Sequence, residues 1–308
     1  MGVLAIKSKL ILRKSCFLGQ FSDNFTTLFL GQLSFLQPPM VSSPVRSPLV
    51  VFDIDGVVRD VSHSYRRALA DTVEHFTEGG FRPTMADIDD LKSEGIWNND
   101  WVGSQELTYR YFESQGRDRQ SANLDYETIK DFFQKKYRGS NPEDPTTWDG
   151  YINDEPLLAT PDYFASLTAA GLRWGFFSGA TPGSAKYVLG DRLNLDNPVL
   201  VAMGDAPDKP DPTGLFQVVE TLMGPDNKGQ PIVVYAGDTA ADMKTVLLAR
   251  EARPDIQCYA VGIVPPHAWA NPEVHQAYGE TLRSKGADWV CDRITDLTPA
   301  VLQEIISQ

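Results

Sequence analysis

From residue 48 onward, short apolar runs recur along the chain, each bounded by charged residues, glycine or proline. The first, Pro48-Leu49-Val50-Val51-Phe52-Asp53, has no polar interruption before its acid, and Gly56 follows closely. A strand buried on both faces has this unbroken character, whereas a half-exposed strand alternates. Comparable runs stand at Leu172 to Phe177, Val199 to Met203, Pro231 to Ala236 and Gln257 to Val261, with a weaker one at Asp288 to Cys291. Between them, apolar residues repeat at helical spacing. From Pro161 to Ala170 these are Tyr163, Phe164, Leu167 and Ala170, and Gly171 is placed to stop the helix. Ser184 to Leu193, Thr213 to Met223 and Ala240 to Glu251 behave likewise. Strand alternating with helix over this length predicts an α/β fold built on a doubly wound parallel sheet.

One stretch breaks the alternation. Val61 to Glu155 predicts helices and turns alone: Ser64 to Phe76, Thr84 to Glu94, Ser104 to Gln115 and Leu124 to Tyr137. Thr84 suits an N-cap, and the acids Asp87, Asp89 and Asp90 just inside it favour the positive helix end. An all-helical block between the first and second strands is expected to form a cap over the sheet. The expected division is therefore a leader at 1–47, an α/β core of 48–60 plus 156–308, and a cap at 61–155.

The leader differs in charge from the rest, with Lys7, Lys9, Arg13, Lys14 and Arg46 against the single acid Asp23. That composition suits a transit peptide. We read it instead as an upstream extension whose natural start is Met40, poorly ordered before about Ser47. Charges break its apolar stretches too often for a membrane-spanning helix. The whole chain of 308 residues is 42% hydrophobic, enough for a sizeable core. Its net charge of −13 opposes nucleic acid and anionic lipid at long range, so neither is an expected partner. A phosphate ligand stays open, because local lysines and backbone N–H groups set the potential inside a pocket. Cys16, Cys258 and Cys291 are widely spaced, with neither a disulfide framework nor zinc-ligand spacing. This fits a reducing, cytoplasmic location, with organelle import through the basic leader as the alternative.

Four polar segments fall at the carboxyl ends of predicted strands, where the loops of a parallel sheet converge. In Asp53-Ile54-Asp55-Gly56, two carboxylates two residues apart can divide labour, one attacking an electrophile and one exchanging a proton. Read alone, it is equally an acid-rich turn. Ser178-Gly179-Ala180-Thr181 offers a hydroxyl and free N–H groups to phosphate oxygens, but alone reads as an ordinary turn into a helix. Lys209, within Asp208-Lys209-Pro210-Asp211-Pro212, is held among stiffening prolines and alone reads as a solvated loop lysine. In Gly237-Asp238-Thr239-Ala240-Ala241-Asp242, an acid at a strand exit and another four residues on can serve a hard cation. The helix dipole accounts for Asp242 but not for Asp238.

Taken in order, these four segments resemble the motifs of the haloacid dehalogenase superfamily, and the resemblance runs from Pro48 to about Thr298. The helical insertion is similar to the cap of its subfamily I, the phosphoglycolate-phosphatase-like group. Val57 stands where the family most often has threonine. The resemblance implies a phosphatase acting on a small phosphorylated metabolite. Asp53 would attack phosphorus, and Asp55 would protonate the leaving alcohol and then deprotonate water. Ser178, the Gly179 N–H and Lys209 would hold the phosphate oxygens. Mg²⁺ would be bound by Asp53, the Asp55 backbone carbonyl and Asp238, with Asp242 acting through water or as support. Asp55, Lys209 and Asp238 together favour phosphoryl chemistry over dehalogenation.

A phosphomutase is the nearest alternative, and a non-catalytic binding or regulatory module is another, opposed by the presence of both Asp53 and Asp55. A phosphonatase would need a lysine reaching from the cap. Lys92 is the candidate for that role, but its setting reads as an exposed helix lysine. The segment Trp97-Asn98-Asn99-Asp100-Trp101 either closes over the pocket or is a turn anchored by two core tryptophans. Arg59 and His63 face the cap–core cleft or are surface and linker residues.

Overall fold

The computed structural model describes residues 47–119, 124–225 and 230–307, so the expectation about the leader lies outside the described residues. The strands are β1 (Leu49–Phe52), β2 (Arg173–Phe177), β3 (Leu200–Val201), β4 (Ile232–Gly237), β5 (Gln257–Ile263) and β6 (Trp289–Cys291). The helices are α1 (Tyr65–Phe76), α2 (Met85–Ser93), α3 (Asp100–Ser114), α4 (Tyr126–Tyr137), α5 (Pro161–Ala169), α6 (Pro182–Lys186), α7 (Thr213–Met223), α8 (Ala240–Ala252), α9 (Pro272–Ser284) and α10 (Pro299–Ile305). A π-helical turn, Tyr187–Arg192, continues α6.

All six strands form one sheet in the order β3-β2-β1-β4-β5-β6, and every neighbouring pair is parallel. The unbroken apolar character of β1 now has its reason. Val50 and Phe52 enter a core completed by α5, α6 and α10, while Leu49 and Val51 enter one completed by α7 and α8. With both faces covered, no position along the strand is left for a polar side chain. Turn chemistry sets the helix starts. Pro182 occupies the first turn of α6, where its missing N–H costs nothing, and Thr181 accepts from the Ser184 N–H.

Helices α1 to α4, between β1 and α5, have a separate apolar core of their own, including Leu69, Val73, Ile88, Leu91, Phe133 and Tyr137. This is the inserted helical cap. Thr84 caps α2 and is answered by Asp87, whose side chain accepts from the Thr84 N–H. Helix α3 begins at Asp100 rather than at the expected Ser104. The cause is Asn99, whose side-chain oxygen accepts from the Trp101 and Val102 N–H groups and satisfies two otherwise orphaned donors. Trp101 is thereby drawn into the cap core, whereas Trp97 stays half-buried and donates to Glu94.

The chain crosses between sheet and cap twice, and the two crossings run side by side. The Asp60 N–H donates to the Pro156 carbonyl at 2.8 Å, and the Leu158 N–H to the Val58 carbonyl at 2.8 Å. Below them, Phe164 packs edge-on against Phe52 and Phe176 at ring distances of 5.9 and 5.6 Å. Replacing Phe164 with Ala should destabilise the protein by about 3–5 kcal/mol, because this rigid cluster cannot collapse into the void. Denaturant unfolding with an unchanged slope and a midpoint shift worth under about 1 kcal/mol would refute that assignment.

Candidate active site

Strand order reverses between β1 and β4, and open parallel sheets take their ligands at the carboxyl ends beside such a reversal. Asp53 directly follows β1, Ser178 follows β2, and Asp238 follows β4. Two glycines let these segments converge. Gly56 has φ +74°, and a Cβ there would lie 2.0 Å from Asp238 Oδ2. A Cβ on Gly237 would lie 2.3 Å from Asp242 Cγ, so the chain folds back only because that position is bare.

Between sheet and cap lies a cavity of about 60 Å³. The sheet side supplies Asp53, Asp55, Ser178, Gly179 and Asp238. The cap supplies Tyr65, Arg66, Lys92, Asn98 and Asp100. Lys209 and Asp242 stand behind this surface. Lys209 Nζ, almost fully buried, is 2.9 Å from Asp53 Oδ2 and 2.7 Å from Asp242 Oδ1. Ser178 accepts from the Ala180 N–H at 3.2 Å, which leaves its own O–H able to donate into the cavity.

The three acids Asp53, Asp238 and Asp242 each place an oxygen within 4.8 Å of the others. Their environments differ. Asp242 Oδ1 accepts from Lys209 and from the Tyr235 hydroxyl at 2.8 Å, and Oδ2 accepts from both the N–H and the hydroxyl of Thr239. Burial alone would raise its pKa, but Lys209 and these hydrogen bonds outweigh burial and hold it below the usual range. With four hydrogen bonds accepted, Asp242 anchors Lys209 while keeping an oxygen within reach of the other two acids.

Asp53 is pushed up to about 6 by burial, against the pull of Lys209. Its Oδ1 accepts from the Ile54 N–H at 2.7 Å, which fixes the carboxylate's orientation. Asp238 is the exposed end of the imbalance. Among the described residues, no hydrogen bond or ion pair reaches its carboxylate, although the side chain is buried. Burial, then the charges of Asp242 and Asp53, drive its pKa well above the carboxylate range. A buried, unpartnered carboxylate facing a cavity beside a second one is a donor set for a hard divalent cation, so the residues present fit Mg²⁺.

Several sequence expectations change here. Lys92 is not an exposed helix lysine. It lines the cavity, with Nζ 2.7 Å from Asp100 Oδ1 and 3.1 Å from the Asn98 carbonyl. Asn98 faces the cavity opposite Gly179, while Trp101 is a cap-core anchor, so the two readings of that segment each describe part of it. Arg59 is fully buried and bonded to Asp55 at 2.6 Å, and His63 is exposed. Arg66 was missed, and Asp100 was read only as part of that segment. Nothing in their local spacing distinguishes them from ordinary helix-surface charges, and only the docking of the cap turns them inward.

Residues 48–249 match the family described as haloacid dehalogenase-like hydrolase. A protein from Phytophthora nicotianae, named imidazoleglycerol-phosphate dehydratase, is 29% identical over 270 residues, covering 85% of this chain and 54% of that one. The chain thus spans about half the length of that curated relative. Among solved structures, a phosphonoacetaldehyde hydrolase-like protein from Oleispira antarctica has a TM-score of 0.58 at 18% identity, over 86% of this chain and 96% of that one. A HAD family hydrolase from Deinococcus radiodurans, with bound phosphate and sodium, has a TM-score of 0.54 at 15% identity, over 85% and 98%. These structural likenesses concern the fold, whereas the family match takes in Asp53, Ser178, Lys209 and Asp238 together. The chain belongs to the haloacid dehalogenase-like hydrolases.

Proposed function

We propose that this protein is a Mg²⁺-dependent phosphatase that hydrolyses a small phosphate monoester through a phosphoryl group carried on Asp53. The observation that carries the reading is the pairing of Asp53, fixed by Lys209 and the Ile54 N–H, with the uncompensated Asp238 across a small polar cavity. At about 10–15 Å³ for each water-sized group, about 60 Å³ has room for a phosphoryl group and a small leaving group.

In this reading, an Asp53 oxygen attacks phosphorus as the bond to the leaving oxygen breaks. Asp55 gives that oxygen its proton, then takes one from the water that attacks the phosphorylated Asp53. Inorganic phosphate leaves and both aspartates return to their starting forms. The Ser178 hydroxyl and the Gly179 N–H donate to the phosphate oxygens. Lys209 lowers the charge of the nucleophile from behind and holds it in line. Mg²⁺, held by Asp53, Asp238 and the Asp55 backbone carbonyl, would screen the repulsion between the carboxylate and the phosphate dianion. On the cap side, Lys92, Asp100 and Asn98 meet the leaving group, which favours a small polar alcohol over an apolar one.

The dehydratase relative motivates a narrower reading, in which the leaving group carries an imidazole ring. Its name concerns that protein, and half of its length has no counterpart here. Imidazoleglycerol phosphate therefore belongs in the substrate screen beside sugar phosphates and phosphoglycolate-like acids. A phosphomutase would return the phosphoryl group to substrate, so free phosphate separates the two activities.

Phosphate release should appear with Mg²⁺, vanish with chelator, and fall at least about a thousandfold in Asp53→Asn. Turnover that survives chelation, or an Asp53→Asn enzyme as fast as wild type, would sink the mechanism. The Lys92→Met enzyme should raise KM about tenfold or more for the preferred monoester while barely changing p-nitrophenyl phosphate turnover. Equal effects on both substrates would remove Lys92 from leaving-group recognition.

A further inference from the structure

Arg59 is the largest fully buried side chain in the described structure, and its guanidinium reaches three separate segments. Nε is 2.6 Å from Asp55 Oδ1 in the loop after β1. Nη1 is 3.0 Å from Glu155 Oε2 in the returning crossing, and Nη2 is 3.0 Å from Ser184 Oγ on α6. Glu155 is held in turn, because its other oxygen accepts from the Ser64 hydroxyl at 2.6 Å, directly before α1. Tyr137, at the end of α4, closes the network with its hydroxyl 3.2 Å from Ser184 Oγ. Arg59 also forms a backbone bridge with Leu157, so it sits where the two crossings pair.

One buried and one partly buried carboxylate around a buried guanidinium are a poor means of stabilisation. Desolvating the three charges offsets most of their attraction, and well-packed apolar side chains would serve stability as well or better. What the arrangement supplies is orientation. The planar fork of a guanidinium fixes its partners in direction as well as distance. It grips one oxygen of Asp55, and Asp55 still lines the cavity, so the other oxygen is left to meet a leaving group. Arg59 itself is absent from the cavity wall and acts only through Asp55.

We propose that Arg59, locked by Glu155, is the positioning residue for the proton-transferring Asp55, and that it ties the aim of that acid to the two cap crossings. The inference rests on the phosphatase reading above. A proton donor misaimed by about an ångström loses much of its effect, and rotation of the cap about residues 59–60 and 156–158 would move Arg59 first. The acid is therefore aimed only when the crossings are paired as they are here.

The test uses substituted phenyl phosphates, from p-nitrophenyl, whose leaving group needs little protonation, to unsubstituted phenyl, whose leaving group needs more. Arg59→Gln and Glu155→Gln should each lose at least about tenfold more kcat on phenyl than on p-nitrophenyl phosphate, with KM within about twofold. Arg59→Lys should recover part of the difference. Equal loss along the series in folded variants would overturn the proposal. Should the single variants fail to fold, the double Arg59→Met/Glu155→Met variant removes the buried charges together, and the same comparison decides. If no variant at these two positions folds and Ser184→Ala keeps the wild-type dependence on leaving group, the network is structural only and the proposal falls. A wild-type enzyme releasing no phosphate from any aryl phosphate or metabolite ester would instead refute the phosphatase reading, and this inference with it.

Discussion

Around the end of β1, three buried carboxylates share one buried ammonium. In a medium of low dielectric this is an unbalanced set, and the remaining features of the site follow from how the imbalance is distributed. Lys209 stands between Asp53 and Asp242, against the faces of Phe177 and Tyr235 at 5.2 and 5.4 Å from the ring centres. Asp242 is satisfied completely, Asp53 in part, and Asp238 not at all. The negative charge left over is concentrated at the cavity surface, a setting that attracts cations. The same residue type at three positions is thus an anchor for Lys209, a partly compensated carboxylate at the end of β1 and an uncompensated one at the cavity surface.

Polar contacts join the cap to this centre, while its apolar core, distinct from the two that flank the sheet, also meets Tyr187 and Met203 of the sheet side. Asp89 on α2 is 2.7 Å from Arg66 and 2.9 Å from His267, a residue of the short turn after β5. Burial lowers the His267 pKa even with Asp89 beside it. Tyr278 on α9 stacks edge-on with His267 and donates to the Asp238 carbonyl at 3.0 Å, so the cap contact and Asp238 share a support.

Much of the sheet was legible because its signal is local. Residues 49–52 are apolar without interruption, and only a strand covered on both faces tolerates that. Helix ends were legible where the cap residue was read, as at Thr84, and misplaced where it was not, as at Asn99. The cap's contribution to the site was legible only in part, through the segment that holds Asn98. Lys92 and Asp100 look like any charged pair on helix surfaces, and Arg59 looks like a linker residue, until the docking of distant segments takes them out of water.

The order of strands and helices, the inserted helical block and the placement of four polar segments at strand ends were determined by the chain alone, since each depends on periodicity and neighbours within a few residues. The division of labour among its acids was decided only in three dimensions. Asp238 and Asp242 stand four positions apart on either side of the start of α8, and helix-end rules account for Asp242 without saying which partner, if any, reaches Asp238. Lys209 and Tyr235 reach one and not the other, and hydrogen-bond satisfaction between residues far apart in sequence is a property of packing, which no short stretch of sequence contains.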